Sequence, residues 1–181
     1  MILFQFKGDR NYLHGTDTFD KISELLTNEF ITDISFRKTT VKQCVISDLK
    51  ISNVVSVIKT NIRTYYLCES DENITERYDF DEDALVSNAI IDDKVVSMNM
   101  DSNYSFIENI VALTKLLNNN LDKPKYGKWL FGQYRSQIDN RNFSGKIEIE
   151  SVKRIAGKFS ENLIYLDGKL AGKIMFIVGQ V

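Results

Sequence analysis

The sequence predicts an α+β fold, in which helices and mainly antiparallel strands follow one another in two similar series. Three observations support this: two segments with helical periodicity, strand-like runs after each of them, and a clear hairpin turn near residue 167. The 181 residues suit one domain of ordinary size or two very small ones. Because the only proline is Pro124, we expect no Pro-rich linker between independent domains.

The first helix is expected over residues 18–30. Apolar side chains recur there at intervals of three and four residues, at Phe19, Ile22, Leu26 and Phe30. Charged residues lie between them and would face the solvent. Thr16 or Asp17 is expected to cap the start of this helix, since both residue types favour that position.

The second helix is expected over residues 105–119, and it should be buried. Apolar positions cover most of its circumference: Phe106, Ile107, Ile110, Val111, Ala112, Leu113, Leu116 and Leu117. A helix that is apolar on most sides belongs in the interior of a protein. Ser105-Phe-Ile-Glu108 fits a capping box at its start, and a run of asparagines before Pro124 ends it.

Strands are predicted after each helix. The expected ranges are 34–46, 54–68 and 84–100 after the first helix, and 128–138, 146–156 and 159–178 after the second. Residues 69–83 contain eight Asp and Glu in fifteen positions and are expected to form a solvated loop. Hairpin turns are predicted at Asp92-Asp93-Lys94 and, most clearly, at Asp167-Gly168.

The order of helix, strands and hairpin occurs twice, which favours a repeated supersecondary unit. We therefore divide the chain into an N-terminal half, residues 1–100, and a C-terminal half, residues 101–181. The C-terminal half contains twelve Lys and Arg against eight Asp and Glu, a net charge of +4, and the N-terminal half carries −6. The basic half could contact an acidic partner, while chance and the acidic stretch explain the asymmetry equally well.

Composition argues against several classes of protein. A net charge of −2 gives no indication of nucleic-acid binding, and no apolar run is long enough to span a bilayer. The first ten residues lack the features of a secretory signal, so we expect a cytoplasmic protein. Cys44 and Cys68 lie in predicted strands and are expected to be buried, reduced thiols. With one histidine, the chain has too few Cys and His for a zinc site.

A family resemblance covers about 75 residues, from Ser105 to Val178. It rests on the buried helix with its early acid, Phe106-Ile-Glu-Asn-Ile-Val-Ala-Leu-Thr-Lys115, then Trp129-Leu-Phe-Gly-Gln-Tyr-Arg135, the strand from Lys146 and the final hairpin. This series resembles the beta-hydroxyacyl-carrier-protein dehydratases of the hotdog fold, in which an antiparallel sheet wraps around one long helix. The resemblance implies two hotdog-like halves fused as one body. The alternative is a single hotdog in residues 101–181 with an elaborated N-terminal region.

The resemblance also implies a pair of catalytic residues. In double-hotdog dehydratases the histidine comes from the first half and the acid from the second, and His14 and Glu108 are placed similarly. His14 would remove the α-proton of a 3-hydroxyacyl thioester, since imidazole titrates near neutral pH. Glu108 would protonate the leaving hydroxyl, because a carboxyl in an apolar pocket can act as an acid.

Substrate contacts are implied at the start of each helix. The backbone N–H of Gly15, or that of a nearby residue, would polarise the thioester carbonyl. Apolar side chains would line the acyl pocket, namely Phe106, Ile107 and Val111. Purely structural roles are the alternative at both catalytic positions. Glu108 would then serve only the capping box, and His14 would be a surface or turn residue.

The function implied by the resemblance is that of a lyase, a 3-hydroxyacyl-carrier-protein dehydratase or a relative, in fatty acid or polyketide biosynthesis. Its substrate would be an acyl carrier protein or coenzyme A thioester, with no cofactor, no metal, no nucleic acid and no membrane partner. A homodimer is a further expectation. The alternatives are a hotdog thioesterase, in which Glu108 activates water, and a non-catalytic acyl-binding or interaction module.

Overall fold

The structure, a computed structural model, describes residues 2–181 and consists of two units, residues 2–81 and Glu82–Gln180. The halves predicted from the sequence, residues 1–100 and 101–181, stay a prediction. Within the second unit, residues 95–99 pair with residues 146–150, and residues 90–92 pair with residues 95–97.

The first unit contains one helix, a four-stranded antiparallel sheet and a separate parallel pair of very short strands, among residues 2–81. The sheet has the order β3-β5-β4-β2, and the parallel pair joins β1 to β6. In chain order the elements are β1 (Phe6–Lys7), α1 (Gly15–Leu25), β2 (Ile31–Phe36), β3 (Lys42–Ser47), β4 (Val54–Thr60), β5 (Thr64–Asn73) and β6 (Arg77–Tyr78).

Helix α1 lies about three residues earlier than predicted. Phe19 and Ile22 are buried, as the periodicity requires, and α1 packs against β2. The helix ends at Leu25 because Thr27 and Asn28 have low helix propensity and the N–H of Glu29 bonds the carbonyl of Leu26 in a turn. The predicted extension to Phe30 is therefore wrong.

Two predicted strands are each divided by a turn. The range 34–46 is interrupted after Phe36, and the range 54–68 forms a hairpin with its turn at Asn61–Arg63. In that hairpin the Thr60 hydroxyl accepts hydrogen bonds from the N–H groups of Ile62 and Arg63, at 3.2 and 3.0 Å. A Thr side chain can stabilise a turn in this way without any Gly or Pro, so the apolar pattern hides the turn.

The acidic stretch at residues 69–83 is more ordered than the predicted loop. Strand β5 continues to Asn73, β6 follows, and a helical turn begins at Glu82. Ile74 is buried within this stretch, and its N–H donates to the carbonyl of Val41 over 2.8 Å. One apolar anchor is thus enough to hold a segment whose charged side chains face the solvent.

The second unit places a long helix against an antiparallel sheet of six strands, among the described residues 82–180. The sheet has the order β9-β12-β11-β10-β8-β7, with every neighbouring pair antiparallel. Its elements are α2 (Glu82–Leu85), β7 (Ile90–Asp92), β8 (Val95–Asn99), α3 (Phe106–Leu121), β9 (Lys128–Ser136), β10 (Lys146–Ile155), β11 (Phe159–Leu166) and β12 (Lys169–Gly179).

Helix α3 is buried along most of its length and packs against β8, β9, β10 and β11. Its most deeply buried side chains, Ile110, Leu113 and Leu117, are fully inaccessible to solvent. The burial that the apolar circumference predicted is confirmed, and one long helix packed against an antiparallel sheet is the hotdog arrangement that the resemblance implied. The α+β fold class is confirmed. In the first unit all four strands of the sheet follow the helix in the chain, and in the second unit β9 to β12 follow α3 while β7 and β8 precede it.

Both predicted hairpins are confirmed. Asp93 and Asp167 have φ values of 48°, and Gly168 has a φ of 76°, as two-residue hairpin turns with the right strand twist require. The carboxylate of Asp167 also accepts a hydrogen bond from the N–H of Lys146 at 2.9 Å. That bond ties the β11–β12 turn to the start of β10.

The cysteines of the first unit are buried and free, in neighbouring strands β3 and β5. Burial raises the pKa of the Cys44 thiol to about 12, and the nearby Glu69 and Cys68 add to the rise. Burial also raises the pKa of Cys68. The thiolate is the nucleophilic form of cysteine, so both groups should react poorly in the folded protein.

Alkylation by iodoacetamide tests this expectation at Cys44. At pH 8 the thiolate population of the folded protein should be about 10³-fold lower than in a urea-unfolded sample, because the pKa lies about three units above that of an ordinary thiol. Peptide mass spectrometry would follow the modification at each cysteine. Equal rates for Cys44 in native and unfolded protein would contradict the burial described here.

Candidate active site

The only histidine of the chain is buried at the start of α1. His14 occupies the N-cap position, with φ −79° and ψ 141°, and its side chain makes no capping bond to the helix. Its imidazole is 8% exposed and has Nδ1 2.7 Å from the hydroxyl oxygen of Thr16. The structural alternative of a surface histidine is therefore wrong.

A buried ion pair lies beside this histidine. Lys7 is 0% exposed, and its ammonium nitrogen is 3.1 Å from Oδ1 of Asp17 and 3.0 Å from the hydroxyl of Thr16. The same nitrogen lies 4.0 Å from the ring centre of Phe80, over its face. Lysine is almost never fully buried unless it is paired, so Lys7 depends on these neighbours.

Asp17 gathers hydrogen-bond donors from three parts of the first unit. Its Oδ1 accepts from Lys7 of β1, from Thr16 of α1 at 3.3 Å and from the hydroxyl of Tyr78 at 2.8 Å. Tyr78 reaches it because β1 and β6 pair in parallel with Lys7 opposite Tyr78. We call Lys7, His14, Thr16, Asp17 and Tyr78 the His14 cluster.

The predicted caps of α1 are wrong. Neither Thr16 nor Asp17 is the N-cap residue, because α1 begins at Gly15. Asp17 instead sits in the first turn, where a negative charge is favourable near the positive end of the helix dipole. The N–H of Gly15, at the first helical position, belongs to the groups that no carbonyl within the helix can accept.

Glu108 occupies the predicted capping box of α3. Its N–H donates to the hydroxyl of Ser105 at 3.2 Å, and its Oε2 accepts from the N–H of Ser105 at 2.8 Å. The carboxylate is half-buried. The capping role is thus confirmed, and a catalytic role for the same residue stays a prediction.

The loop before α3 is held by a buried amide that the sequence did not single out. Asn109 donates to the carbonyls of Asp101 and Ser105, at 3.1 and 2.9 Å, and its Oδ1 accepts from the N–H of Asp101 at 3.0 Å. The start of α3, and with it the backbone of Glu108, is therefore fixed. The implied pocket residues Phe106, Ile107 and Val111 are all buried in the second unit.

A second buried carboxylate lies in the first unit. Glu29 accepts hydrogen bonds from Thr60 and Tyr65, at 2.5 and 3.0 Å, and lies 3.3 Å from the guanidinium of Arg63. Burial and the hydrogen bond to Glu29 raise the pKa of Tyr65. These partners anchor the β4–β5 turn, which gives Glu29 a structural role.

His14 belongs to the first unit and Glu108 to the second, and their approach to each other stays a prediction. Sequence reasoning missed Thr16 as a partner of His14, and it missed Lys7 and Tyr78 as partners of Asp17. Lys7 is followed by Gly8-Asp9-Arg10, so the local sequence does not mark it as a buried charge. Its pairing with Tyr78 joins positions about 70 residues apart, and no local pattern predicts such a contact.

Among residues 2–181, no group of three or more His, Cys, Asp and Glu is arranged to hold a metal ion. None of the helices in this range is long and apolar enough to cross a membrane.

Removing the charge of Asp17 should destabilise the first unit strongly. The variant Asp17→Asn breaks the buried ion pair with Lys7, and removing one partner of a buried pair typically costs about 3–5 kcal/mol in free energy of unfolding. The double variant Lys7→Met/Asp17→Asn removes both charges and should recover most of that loss. Urea denaturation would measure the three proteins.

The matched control for this experiment is Glu24→Gln, the same type of substitution at an exposed position of α1. It should change the free energy of unfolding by less than about 0.5 kcal/mol. If Asp17→Asn behaved like this control, the ion pair would not be the main support of the cluster.

Some solved structures are similar to this chain. No protein-family model matches the chain, and no curated protein matches it. The dehydratase domain of RzxB from Pseudomonas fluorescens is 11% identical, with 96% of this chain and 91% of that chain covered and a TM-score of 0.48. The dehydratase domain of PpsC from Mycobacterium tuberculosis, in complex with C12:1-CoA, is 9% identical, with 93% and 85% covered and a TM-score of 0.45.

The dehydratase domain of MlnD from Bacillus amyloliquefaciens is 10% identical, with 91% of this chain and 80% of that chain covered and a TM-score of 0.40. All three of these structures are dehydratase domains.

Proposed function

We propose that the chain is an acyl-thioester enzyme of the hotdog type, a lyase that dehydrates 3-hydroxyacyl thioesters. The observation that carries the proposal is the setting of His14, which is buried at the start of α1 and engaged through Nδ1 by Thr16. A histidine held by buried polar partners suits a base, because its ring orientation is fixed before substrate binds. The hotdog arrangement of the second unit and the resemblance in the sequence support the same function.

In the proposed reaction, Nε2 of His14 takes the α-proton of the substrate. The electron pair of that C–H bond forms the double bond between C2 and C3, and the C3–O bond breaks. Glu108 gives its proton to the leaving hydroxyl, which departs as water. The products are a 2-enoyl thioester and water, and proton exchange with solvent returns His14 and Glu108 to their starting states.

Glu108 would combine this role with its place in the capping box. The box uses Oε2, so the proposal assigns the transferred proton to Oε1. Asn109 and Ser105 fix the backbone at the start of α3, which would hold the acid in one place. An acid placed in this way needs no large rearrangement before proton transfer.

The proposed substrate contacts lie at the start of α1 and along α3. The N–H of Gly15, at the positive end of the α1 dipole, would stabilise negative charge on the thioester oxygen. The acyl chain would lie against the apolar side chains of Phe106, Ile107 and Val111.

Loss of one water from 3-hydroxyacyl pantetheine thioesters of several chain lengths, followed by mass spectrometry, tests this function. His14→Ala and Glu108→Gln should each lower kcat by about 10²–10⁴-fold, the usual contribution of a general acid or base. Glutamine still accepts the capping hydrogen bond, so Glu108→Gln removes the acid and keeps the box. Glu24→Gln, at an exposed site on α1, is the matched control.

Several outcomes would contradict the proposal in different ways. Release of free thiol without loss of water would favour the thioesterase alternative. Binding of acyl thioesters without any turnover would favour the non-catalytic module. Full activity in His14→Ala would exclude the assigned base even if dehydration were observed.

We further propose that the substrate is delivered on an acidic carrier protein. Five basic residues of the second unit are exposed near the C-terminal end of α3 and in the β10–β11 hairpin, namely Lys123, Lys125, Lys153, Arg154 and Lys158. The two regions meet where the N–H of Gly157 donates to Asp122 at 2.7 Å. Surface charge of one sign favours encounter with a partner of opposite charge. Assembly as a homodimer remains a prediction.

Reversing charges on this surface tests whether it recognises a carrier protein or only the thioester itself. The double variant Lys125→Glu/Lys158→Glu should lower kcat/KM for an acyl carrier protein substrate by at least tenfold at low ionic strength, since steering of this size is common for charged partners. Its kcat/KM for the pantetheine thioester should not change. Equal loss with both substrates, or no loss with either, would contradict delivery through this surface.

A further inference from the structure

The His14 cluster has a property that the proposed reaction does not use. Lys7 is fully buried and has no role in the proposed proton transfer, yet it lies 3.0 Å from the hydroxyl of Thr16, which contacts His14. A buried charge is costly to maintain. The donors and acceptors of the cluster indicate how these residues act on His14.

Each member of the cluster has a limited set of donors and acceptors. The ammonium of Lys7 can only donate, and an ionised Asp17 carboxylate can only accept. Between them stands Thr16, whose hydroxyl has one proton to donate and lone pairs to accept. Its oxygen lies 3.0 Å from Lys7 Nζ, 3.3 Å from Asp17 Oδ1 and 2.7 Å from His14 Nδ1.

The direction in which Thr16 donates its single hydroxyl proton determines whether Nδ1 of His14 carries a proton. If Thr16 donated its hydroxyl proton to His14, the oxygens of Thr16 and Asp17, which both accept from Lys7, would lie 3.3 Å apart with no hydrogen bond between them. If Thr16 donates to Asp17, its oxygen can accept from both Lys7 and His14. Nδ1 of His14 then carries a proton, and all three contacts are hydrogen bonds.

We propose that Lys7, Thr16 and Asp17 are positioning residues that fix the Nδ1–H tautomer of His14. In the neutral imidazole the lone pair then lies on Nε2. Tyr78 supports the same state, because its hydroxyl donates to Asp17 Oδ1 at 2.8 Å and helps keep that carboxylate an acceptor. The relay runs from His14 through Thr16 to Asp17, and Lys7 balances the charge at its end.

The positioning role rests on the proposed function, whereas the tautomer itself does not. A base that takes a proton on Nε2 must present its lone pair there, and the wrong tautomer would present an N–H instead. When Nε2 gains a proton, both ring nitrogens become donors, and Nδ1–H keeps its bond to Thr16. The relay therefore suits both protonation states without moving the ring.

Nitrogen NMR of the full chain labelled with ¹⁵N-histidine tests the tautomer directly, because His14 is the only histidine and gives one pair of ring signals. Protonated and unprotonated ring nitrogens differ widely in chemical shift, so the spectrum shows which nitrogen carries the proton. At about pH 8.5, where an ordinary imidazole is neutral, Nδ1 should be the protonated nitrogen. A protonated Nε2 in the wild-type protein would overturn the proposal.

The variants Thr16→Val and Thr16→Ser provide the second comparison. Valine keeps the shape of Thr16 but removes the hydroxyl, and the two tautomers should then both be populated, as in the urea-unfolded protein. Serine restores the hydroxyl and should restore the wild-type spectrum. A wild-type spectrum in Thr16→Val would exclude Thr16 from the relay, and the wild-type measurement decides the tautomer even if Thr16→Val does not fold.

Kinetics on the same proteins test the positioning role. Thr16→Val should lower kcat for 3-hydroxyacyl pantetheine on the order of 10²-fold with little change in KM, because binding is kept and the base is impaired. Thr16→Ser should recover most of the rate. If Thr16→Val altered the tautomer but left kcat unchanged, the positioning role would be overturned. If the wild-type protein had Nδ1 protonated but showed no turnover, only the proposed function would be contradicted.

Discussion

The first unit depends on the buried ion pair between Lys7 and Asp17. The ammonium of Lys7 has no access to solvent and lies 3.1 Å from Oδ1 of Asp17, so breaking this buried ion pair would be costly. Asp17 lies in the first turn of α1, and Tyr78 of β6 completes its coordination. One electrostatic requirement therefore brings together β1, α1 and β6, and the backbone before Asp17 carries His14 into the same place.

The second unit is organised by a different force. Helix α3 is apolar around most of its circumference and is covered by the sheet, so removal of apolar surface from water provides its main stabilisation. Polar groups appear where the helix begins, in the capping box of Ser105 and Glu108 and in the amide of Asn109. The proposed base and the proposed acid thus both stand at helix starts, one positioned by charge and the other by capping.

Patterns of short range were readable from the sequence, and contacts of long range were not. The periodicity of α3, its capping box and the Asp167-Gly168 turn depend on neighbours within a few residues, and all three are confirmed. The turn at Asn61–Arg63 was missed because Thr60 stabilises it without Gly or Pro. The contacts of Lys7 and Tyr78 with Asp17 were missed, because strands of two residues are too short to show an alternating pattern. The pairing of Lys7 with Tyr78 also leaves no trace in local composition.

The parallel pairing of β1 with β6 also links the surroundings of His14 to both ends of the first unit. Asp17 and Tyr78 are 61 residues apart in the chain, so their contact closes a loop that includes nearly the whole first unit. Closing such a loop costs chain entropy, and the folded unit must repay that cost. The environment of this single imidazole therefore depends on residues from both ends of the unit, and we expect its ring signals to report on folding of the entire unit.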